Sequence, residues 1–104
     1  MRDAKPYRVE LSPEALEHAQ TIRAWWAGNR TATPDLFVDE LAAALRKLGA
    51  APRIGARYEA PRIREMRRVL LPRTRHHVYY TVDDELRVVR VHAIWHQSRG
   101  TGPA

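Results

Sequence analysis

Three runs that resemble strands occupy most of the second half of the chain, only short connections separate them, and the last run largely alternates between apolar and polar residues. The runs are residues 64–71, 73–82 and 86–96. Pro72 ends the first run, and the acidic residues 83–85 turn the chain after the second. Alternation with a period of two is typical of strands with one buried face, and short connections join antiparallel neighbours. This half of the sequence therefore predicts an antiparallel meander of three strands.

The first half of the chain carries the signals of one short strand and two helices. The strand is predicted at 7–11, the first helix at 12–29 and the second helix from Thr33 to Gly49, and residues 55–63 are predicted as a loop or irregular segment. Ser12 can cap the first helix, and Pro13 suits its first position because the N–H that proline lacks is not needed there. Apolar residues then recur at helical spacing, and we expect Trp25 and Trp26 to cover the helical hairpin.

The order βααβββ predicts an α+β fold in which an antiparallel sheet packs on a helical hairpin. The length of 104 residues fits one domain, 1–104, and we expect residues 101–104 to form a short flexible tail. The sequence has no cysteine, no apolar run long enough to span a membrane and no signal-peptide pattern near its start. We therefore expect a cytoplasmic protein without disulfides or thiolate zinc sites and without a membrane partner.

The positive charge is concentrated in one half of the chain. The formal net charge is +6, yet residues 1–52 hold seven basic and seven acidic residues, whereas residues 53–104 hold eleven arginines, no lysine and five acidic residues. The guanidinium group of arginine donates hydrogen bonds in a planar fork that fits phosphates and carboxylates. This half predicts a polyanionic or acidic partner; a coding bias towards arginine is the alternative explanation for the lack of lysine.

Period two divides the last two strands into two sets of side chains. The set predicted to pack on the helices is apolar and comprises Val78, Tyr80, Val82, Val89, Val91, Ala93 and Trp95. The opposite set comprises Arg75, His77, Tyr79, Arg90, His92, Ile94 and His96. The final strand is therefore predicted to be core on one side and basic on the other.

The opposite set suggests metal-free chemistry on phosphate rather than a metal centre. On a strand, His92 and His96 lie roughly 13 Å apart, too far for a single zinc ion with bonds of about 2.1 Å, so we expect neither a metal nor a cofactor. His77 and His92 can act as base or acid near neutral pH, with Tyr79 positioning or donating. Phosphate or a target would be bound by Arg73, Arg75, Arg90, His96 and Arg99. The alternative is a solvated polar face without chemistry.

A further group of arginines, which includes Arg62, Arg64 and Arg67, surrounds the start of the first of these three strands. It is either a solvated rim or a binding site for an acidic partner.

The chain resembles toxins of the RelE/ParE superfamily, the toxic halves of bacterial type II toxin–antitoxin pairs, over residues 7–100. The resemblance is carried by YRVELSPEALEHAQTI, LRKLGAAPRIG, RRVLLPRTRHHVYYTVDDE and VRVHAIWHQSRG, in that order. It implies a compact α+β fold, growth arrest by the free toxin and a cognate antitoxin. An acidic antitoxin would suit this basic chain, and Arg62, Arg64 and Arg67 are candidates for binding it.

The resemblance implies two different mechanisms, because ParE-like members poison DNA gyrase and RelE-like members cut messenger RNA on the ribosome. In this sequence His77 occupies the place of an arginine of the RelE pattern, and Gln97 falls about where a later arginine stands. These departures favour a ParE-like toxin that inhibits DNA gyrase and is not an enzyme. The alternatives are a RelE-like, metal-independent endoribonuclease using His77 and His92, and an inert member that only binds the antitoxin.

Overall fold

The computed structural model describes residues 5–98. Two predictions fall outside the described residues. They are the binding of phosphate or a target by Arg99 and the flexibility of the tail 101–104. The elements are β1 (Arg8–Leu11), α1 (Pro13–Asn29), α2 (Leu36–Ala50), β2 (Ala56–Arg57), β3 (Arg67–Leu71), β4 (His76–Asp83) and β5 (Val88–His96). Neither helix of this range has the length and apolar character needed to cross a membrane.

The ends of the helices follow local capping chemistry. The hydroxyl of Ser12 accepts a hydrogen bond of 3.0 Å from the backbone N–H of Ala15, and Pro13 occupies the first turn of α1, as predicted. Gly49 lies inside α2, which ends at Ala50. A Cβ at Gly49 would come within 3.0 Å of the carbonyl oxygen of Tyr7, so the glycine allows β1 and α2 to approach closely.

The five strands form one sheet in the order β1-β5-β4-β3-β2. Strands β3, β4 and β5 are antiparallel neighbours, as the sequence predicts, and the helices pack on one face. The α+β fold is therefore confirmed, with two additions. Strand β1 runs parallel to β5, so the sheet is mixed, and the two-residue strand β2 lies within the stretch predicted to be irregular.

A β-bulge changes the predicted faces of β5. The turn 84–87 pairs Tyr80 with Val91, so these two residues share a face as predicted. The register then shifts, so that Tyr79 lies opposite Ala93 and Val78 lies opposite Ile94. His92 is the additional residue. One extra residue reverses the alternation beyond it.

The residues on the two faces of the sheet therefore differ in part from those predicted. The helix face of β4 and β5 carries His76, Val78, Tyr80, Val82, Val89, Val91, Ile94 and His96. The open face carries His77, Tyr79, Thr81, Arg90, His92, Ala93 and Trp95. The prediction was wrong for Ala93 and Trp95, which leave the helix face, and for Ile94 and His96, which join it. Arg75, predicted on the open face, lies in the turn before β4.

The main core lies between the helix face and the two helices. Its buried members are Ala15, Phe37, Leu41, Leu48, Leu71, Val78, Tyr80, Val89, Val91 and Ile94. Trp26 is half-buried against this core, but Trp25 is 48% exposed and covers no part of it. The expectation that both tryptophans cover the hairpin therefore holds only for Trp26.

A second, smaller cluster closes part of the open face. Its buried residues are Met66, Tyr79 and Ala93, and they pack against Tyr58, Ala60, Ile63 and Trp95. Most of these side chains belong to residues 58–66, which we call the 58–66 loop. A hydrogen bond of 2.8 Å from Tyr58 N–H to the carbonyl of Met66 joins the two ends of the loop.

Candidate functional site

His77 lies on the open face, between Leu70 of β3 and Trp95 of β5. It is half-buried, and its ring centroid is 5.9 Å from that of Tyr79. Burial lowers the pKa of His77, and the nearby cation of Arg68 lowers it further. The imidazole is therefore neutral at neutral pH and able to accept a proton.

Tyr79 is on the predicted face but is not available to a ligand as the sequence suggested. Its side chain is 4% exposed, with ring centroids of Tyr58 and Trp95 at 5.0 and 6.2 Å. The 58–66 loop covers it. The packing contacts of Tyr79 are a sufficient reason for an aromatic residue at this position.

His92 shares the open face with His77 but has different neighbours. Its Nε2 lies 2.8 Å from the hydroxyl of Thr81, and the residue is half-buried in the bulge. Burial lowers its pKa, with a smaller contribution from Arg90. Trp95, the partner of His77 across the hairpin, lies three positions after His92, which corresponds to roughly 10 Å of strand. The two predicted catalytic histidines are thus on one face but in separate environments.

Arg90, also on the open face, is already paired with a carboxylate. Its guanidinium lies 3.4 Å from Glu10 of β1, and Glu10 also accepts a hydrogen bond of 2.9 Å from Arg8. The hydrogen bond from Arg8 is the main reason that the pKa of Glu10 is lowered. The charge of Arg90 is therefore partly balanced within the protein.

A cleft of about 630 Å³ opens between α1 and the turn that joins β3 to β4. We call it the α1 cleft, and its lining is Thr21, Ile22, Trp25, Trp26, Arg30, Arg73, Thr74, Arg75, His76 and His96. Three of the predicted phosphate- or target-binding residues, Arg73, Arg75 and His96, meet here. Because His96 belongs to the helix face, the cleft is on the other side of the sheet from His77 and His92.

Two histidines close one end of the α1 cleft. The rings of His76 and His96 are perpendicular, with centroids 5.1 Å apart, and His76 also contacts Phe37 of α2 at 5.4 Å. His76 is 7% exposed, and burial, together with His96, lowers its pKa to about 4. His76 is therefore neutral at neutral pH. The His96 ring lies 2.8 Å from the hydroxyl of Ser98.

Glu40 of α2 holds the turn that carries Arg73 and Arg75. Its carboxylate accepts hydrogen bonds from the backbone N–H of Arg73 (2.7 Å), the N–H of Thr74 (3.0 Å) and the hydroxyl of Thr74 (2.7 Å). Arg75 has a φ of 67°, in the left-handed region that is unfavourable for a residue with a side chain. Sequence reasoning missed Glu40, because its distance of 33 residues from Arg73 gives no local signal.

The arginines predicted to bind an antitoxin fall into two groups. Arg62 and Arg64 are exposed on the 58–66 loop. Arg67 is half-buried, and its guanidinium donates a hydrogen bond of 2.8 Å to the carbonyl of Gly55, which joins β3 to the segment before β2. Arg67 therefore has a structural contact, whereas Arg62 and Arg64 extend into solvent.

Within residues 5–98, no group of three or more His, Cys, Asp or Glu side chains is arranged to hold a metal ion.

Comparisons with known proteins agree with one another on the fold. Residues 9–100 match the family described as the ParE toxin of the type II toxin–antitoxin system parDE. A chain of the P. aeruginosa chromosomal ParDE system superimposes with a TM-score of 0.68 and 12% identity, covering 89% of this chain and 98% of that one. No curated protein sequence matches significantly.

Structures of RelE toxins are about as similar to this chain as the ParDE structure is. A chain of the RelBE2 toxin–antitoxin complex of Mycobacterium tuberculosis has a TM-score of 0.66 and 18% identity, covering 92% of this chain and 97% of that one. The isolated E. coli RelE toxin has a TM-score of 0.61 and 20% identity, with coverages of 90% and 87%. At such identities these likenesses show the fold, and the family match over residues 9–100 adds the family. The chain belongs to the ParE toxin family of type II toxin–antitoxin systems.

Proposed function

We propose that this toxin arrests growth by binding and inhibiting DNA gyrase, without acting as a nuclease, until an antitoxin binds it. The match to the ParE toxin family supports gyrase as the target, because the ParE-like toxins that the sequence resembles poison gyrase. The state of the open-face groups supports the absence of nuclease activity. Metal-free RNA cleavage needs a base, an acid and cations that can all reach one phosphate. Here Tyr79 is covered by the 58–66 loop, His92 is bonded to Thr81, and Arg90 is paired with Glu10.

The test is a supercoiling assay with purified gyrase and purified toxin. We expect the free toxin to inhibit supercoiling and the toxin bound to its antitoxin to have no effect. The matched control is the same toxin after heat denaturation. Normal supercoiling at saturating toxin would contradict the proposal.

A ribosome-dependent messenger RNA endoribonuclease is the second candidate, and the environment of His77 favours it. This imidazole is neutral at neutral pH, only half-buried and close to the cation of Arg68. In this candidate mechanism His77 and His92 supply base and acid, while Arg90 and Arg99 bind phosphate. Arg73 and Arg75, predicted for the same role, line the α1 cleft on the other side of the sheet and do not reach that phosphate. Mapping the 5′ ends of messages after induction tests it: cuts that disappear in His77→Ala would support it, and intact messages during growth arrest would exclude it.

The proposed partner is an antitoxin with an acidic toxin-binding region. The net charge of +6 supports an acidic partner, and similar folds occur in toxin–antitoxin complexes. An acidic reading frame beside the toxin gene should relieve growth arrest when both genes are expressed. If expression of the toxin gene alone causes no arrest while the two proteins still bind each other, the chain is an inert member of its family.

A further inference from the structure

The α1 cleft has an apolar floor that the proposed toxic mechanism does not use. Trp25 is 48% exposed, and its ring packs edge-on against Trp26 with centroids 5.9 Å apart. Ile22, one turn earlier on α1, also lines the cleft. A concave site of several hundred Å³ lined by aromatic and aliphatic side chains is typical of a binding site.

The rim of the α1 cleft is positively charged. The guanidinium of Arg30 lies over the rings of Trp25 and Trp26, at 5.2 and 5.9 Å from their centroids, and Arg73 and Arg75 lie on the turn that forms the other wall. The described lining residues include no carboxylate. Glu40, which holds this turn, directs its carboxylate to backbone and hydroxyl groups of the turn. Three cations therefore surround the apolar floor without a carboxylate in the lining.

The floor is suited to a side chain inserted between the walls rather than to stacked bases. Nucleic-acid bases stack on exposed aromatic faces, but the two indoles meet at an interplanar angle of 74° and Arg30 lies over both of them. A polypeptide segment can place one bulky apolar side chain in the notch and its carboxylates on the rim. Arginine binds carboxylates through paired, charge-assisted hydrogen bonds.

We propose that the α1 cleft is the docking site for an acidic, amphipathic segment of the antitoxin. A large apolar side chain of that segment packs against Trp25 and Ile22, and its carboxylates pair with Arg30, Arg73 and Arg75. This inference rests on the proposed pairing with an antitoxin and specifies where that partner binds. It places the main contact on the helix side of the sheet, whereas Arg62 and Arg64 lie on the 58–66 loop over the open face.

The test measures binding of the antitoxin encoded beside the toxin gene, followed by binding of overlapping peptides that span it, using calorimetry. Trp25→Ala should weaken binding about tenfold or more, as for an aromatic interface anchor. The double change Arg73→Glu and Arg75→Glu should weaken it further, and the loss should shrink as salt is raised. The matched control is Arg46→Glu with Arg57→Glu, two exposed residues outside the cleft lining, which makes the same change in charge and should leave affinity within about twofold.

A second variant keeps the test independent of charge. Thr21→Trp adds bulk to an exposed residue of the cleft lining and should block binding while the melting temperature stays at the wild-type value. The peptide that binds wild type should be acidic, and excess single-stranded RNA should not displace it. Unchanged affinity in Trp25→Ala and Thr21→Trp would overturn the docking site while leaving the antitoxin partnership intact. Failure of the wild-type toxin to bind the antitoxin would overturn the partnership itself.

Discussion

The two faces of the sheet are closed in different ways. Two helices seal the helix face over a continuous apolar core that includes Phe37, Leu48 and Val91. The open face is closed only in part, by the 58–66 loop, whose residues pack with Tyr79 and Trp95 in a smaller cluster. The exposed cleft, however, lies on the better sealed side, where α1 extends beyond the core and leaves Trp25 open.

The polar groups of the open face and those of the α1 cleft differ in how far they are engaged within the protein. On the open face, His77, His92 and Arg90 have the composition of a reactive site but are partly covered or engaged within the protein. On the other side, Arg73 and Arg75 stand on a turn fixed by Glu40 and have no carboxylate among the cleft lining. Residue types alone therefore suggest more reactivity on the open face than its engaged groups allow. They give no sign that Arg73 and Arg75 meet in the α1 cleft.

Removing the large hydrocarbon side chain of Phe37 from the helix-face core should have the greatest effect. Phe37 is 1% exposed, so Phe37→Ala should lower the free energy of unfolding by about 3–5 kcal/mol. A domain of this kind has only about 5–15 kcal/mol in total. Urea denaturation measures the loss, with Leu86→Ala, at a residue that is 64% exposed, as the control. A loss as small as that of the control would mean that the helices do not depend on this packing.

The corresponding change in the open-face cluster should cost less. Met66 is also 1% exposed, and Met66→Ala should lie near the lower end of about 2–5 kcal/mol, because a loop can relax around the space more easily than two helices can. Hydrogen exchange should accelerate mainly in the 58–66 loop. Equal acceleration throughout α1 and α2 would show that the two faces unfold as one unit.

The hydroxyl of Tyr80 connects β4 with the segment before β2. The side chain of Tyr80 is fully buried and accepts a hydrogen bond of 2.9 Å from the backbone N–H of Gly55. Tyr80→Phe leaves that N–H without its partner and should cost about 1–2 kcal/mol. The control Tyr58→Phe, whose residue is half-buried in the loop, should cost less. A wild-type melting temperature in Tyr80→Phe would mean that water replaces the hydroxyl without loss.

The pH dependence of stability should identify the helix-face histidine. Because burial lowers the pKa of His76 from 6.5 to about 4, the unfolded chain binds a proton there at a higher pH than the folded chain does. The contribution of neutral His76 to the free energy of unfolding is complete above pH 6.5 and is lost as pH falls towards 4. The pKa values of His77 and His92 are also lowered, so these residues act in the same direction.

His76→Phe should therefore flatten the decline in unfolding free energy between pH 6.5 and about 4 more than His77→Phe does. Asp84 acts at lower pH, because its hydrogen bond from Arg53 lowers its pKa from 3.8 to about 2. The further loss below pH 3.8, which is small because Asp84 is exposed to solvent, should accordingly remain in both variants. An unchanged slope in His76→Phe would show that its burial does not carry the effect.

The sequence predicted the elements whose signals are local. Ser12 and Pro13 start α1 where expected, and the turn 84–87 pairs Tyr80 with Val91 as the alternation requires. The prediction failed from His92 onwards because a bulge adds one residue without changing the composition of the strand. Nothing in the sequence marks which residue of an alternating run is the extra one.

The candidate site was predictable only as a set of residue types. His77 and His92 do share the open face, but the covering of Tyr79 depends on contacts with the 58–66 loop, which lies outside the alternating pattern. The cleft joins Trp25 to Arg75 and His96 across separate elements. Such an arrangement follows from tertiary packing, which periodicity and charge counts do not determine.

If the toxin acts by binding gyrase, as proposed, toxicity does not depend on nuclease chemistry at the open face. Expression of the His77→Ala, His92→Ala double variant without antitoxin tests this most directly, with soluble protein levels and melting temperature matched to wild type. We predict growth arrest and gyrase inhibition equal to those of the unaltered toxin. Normal growth of the double variant, together with message cuts that only the unaltered toxin produces, would contradict it.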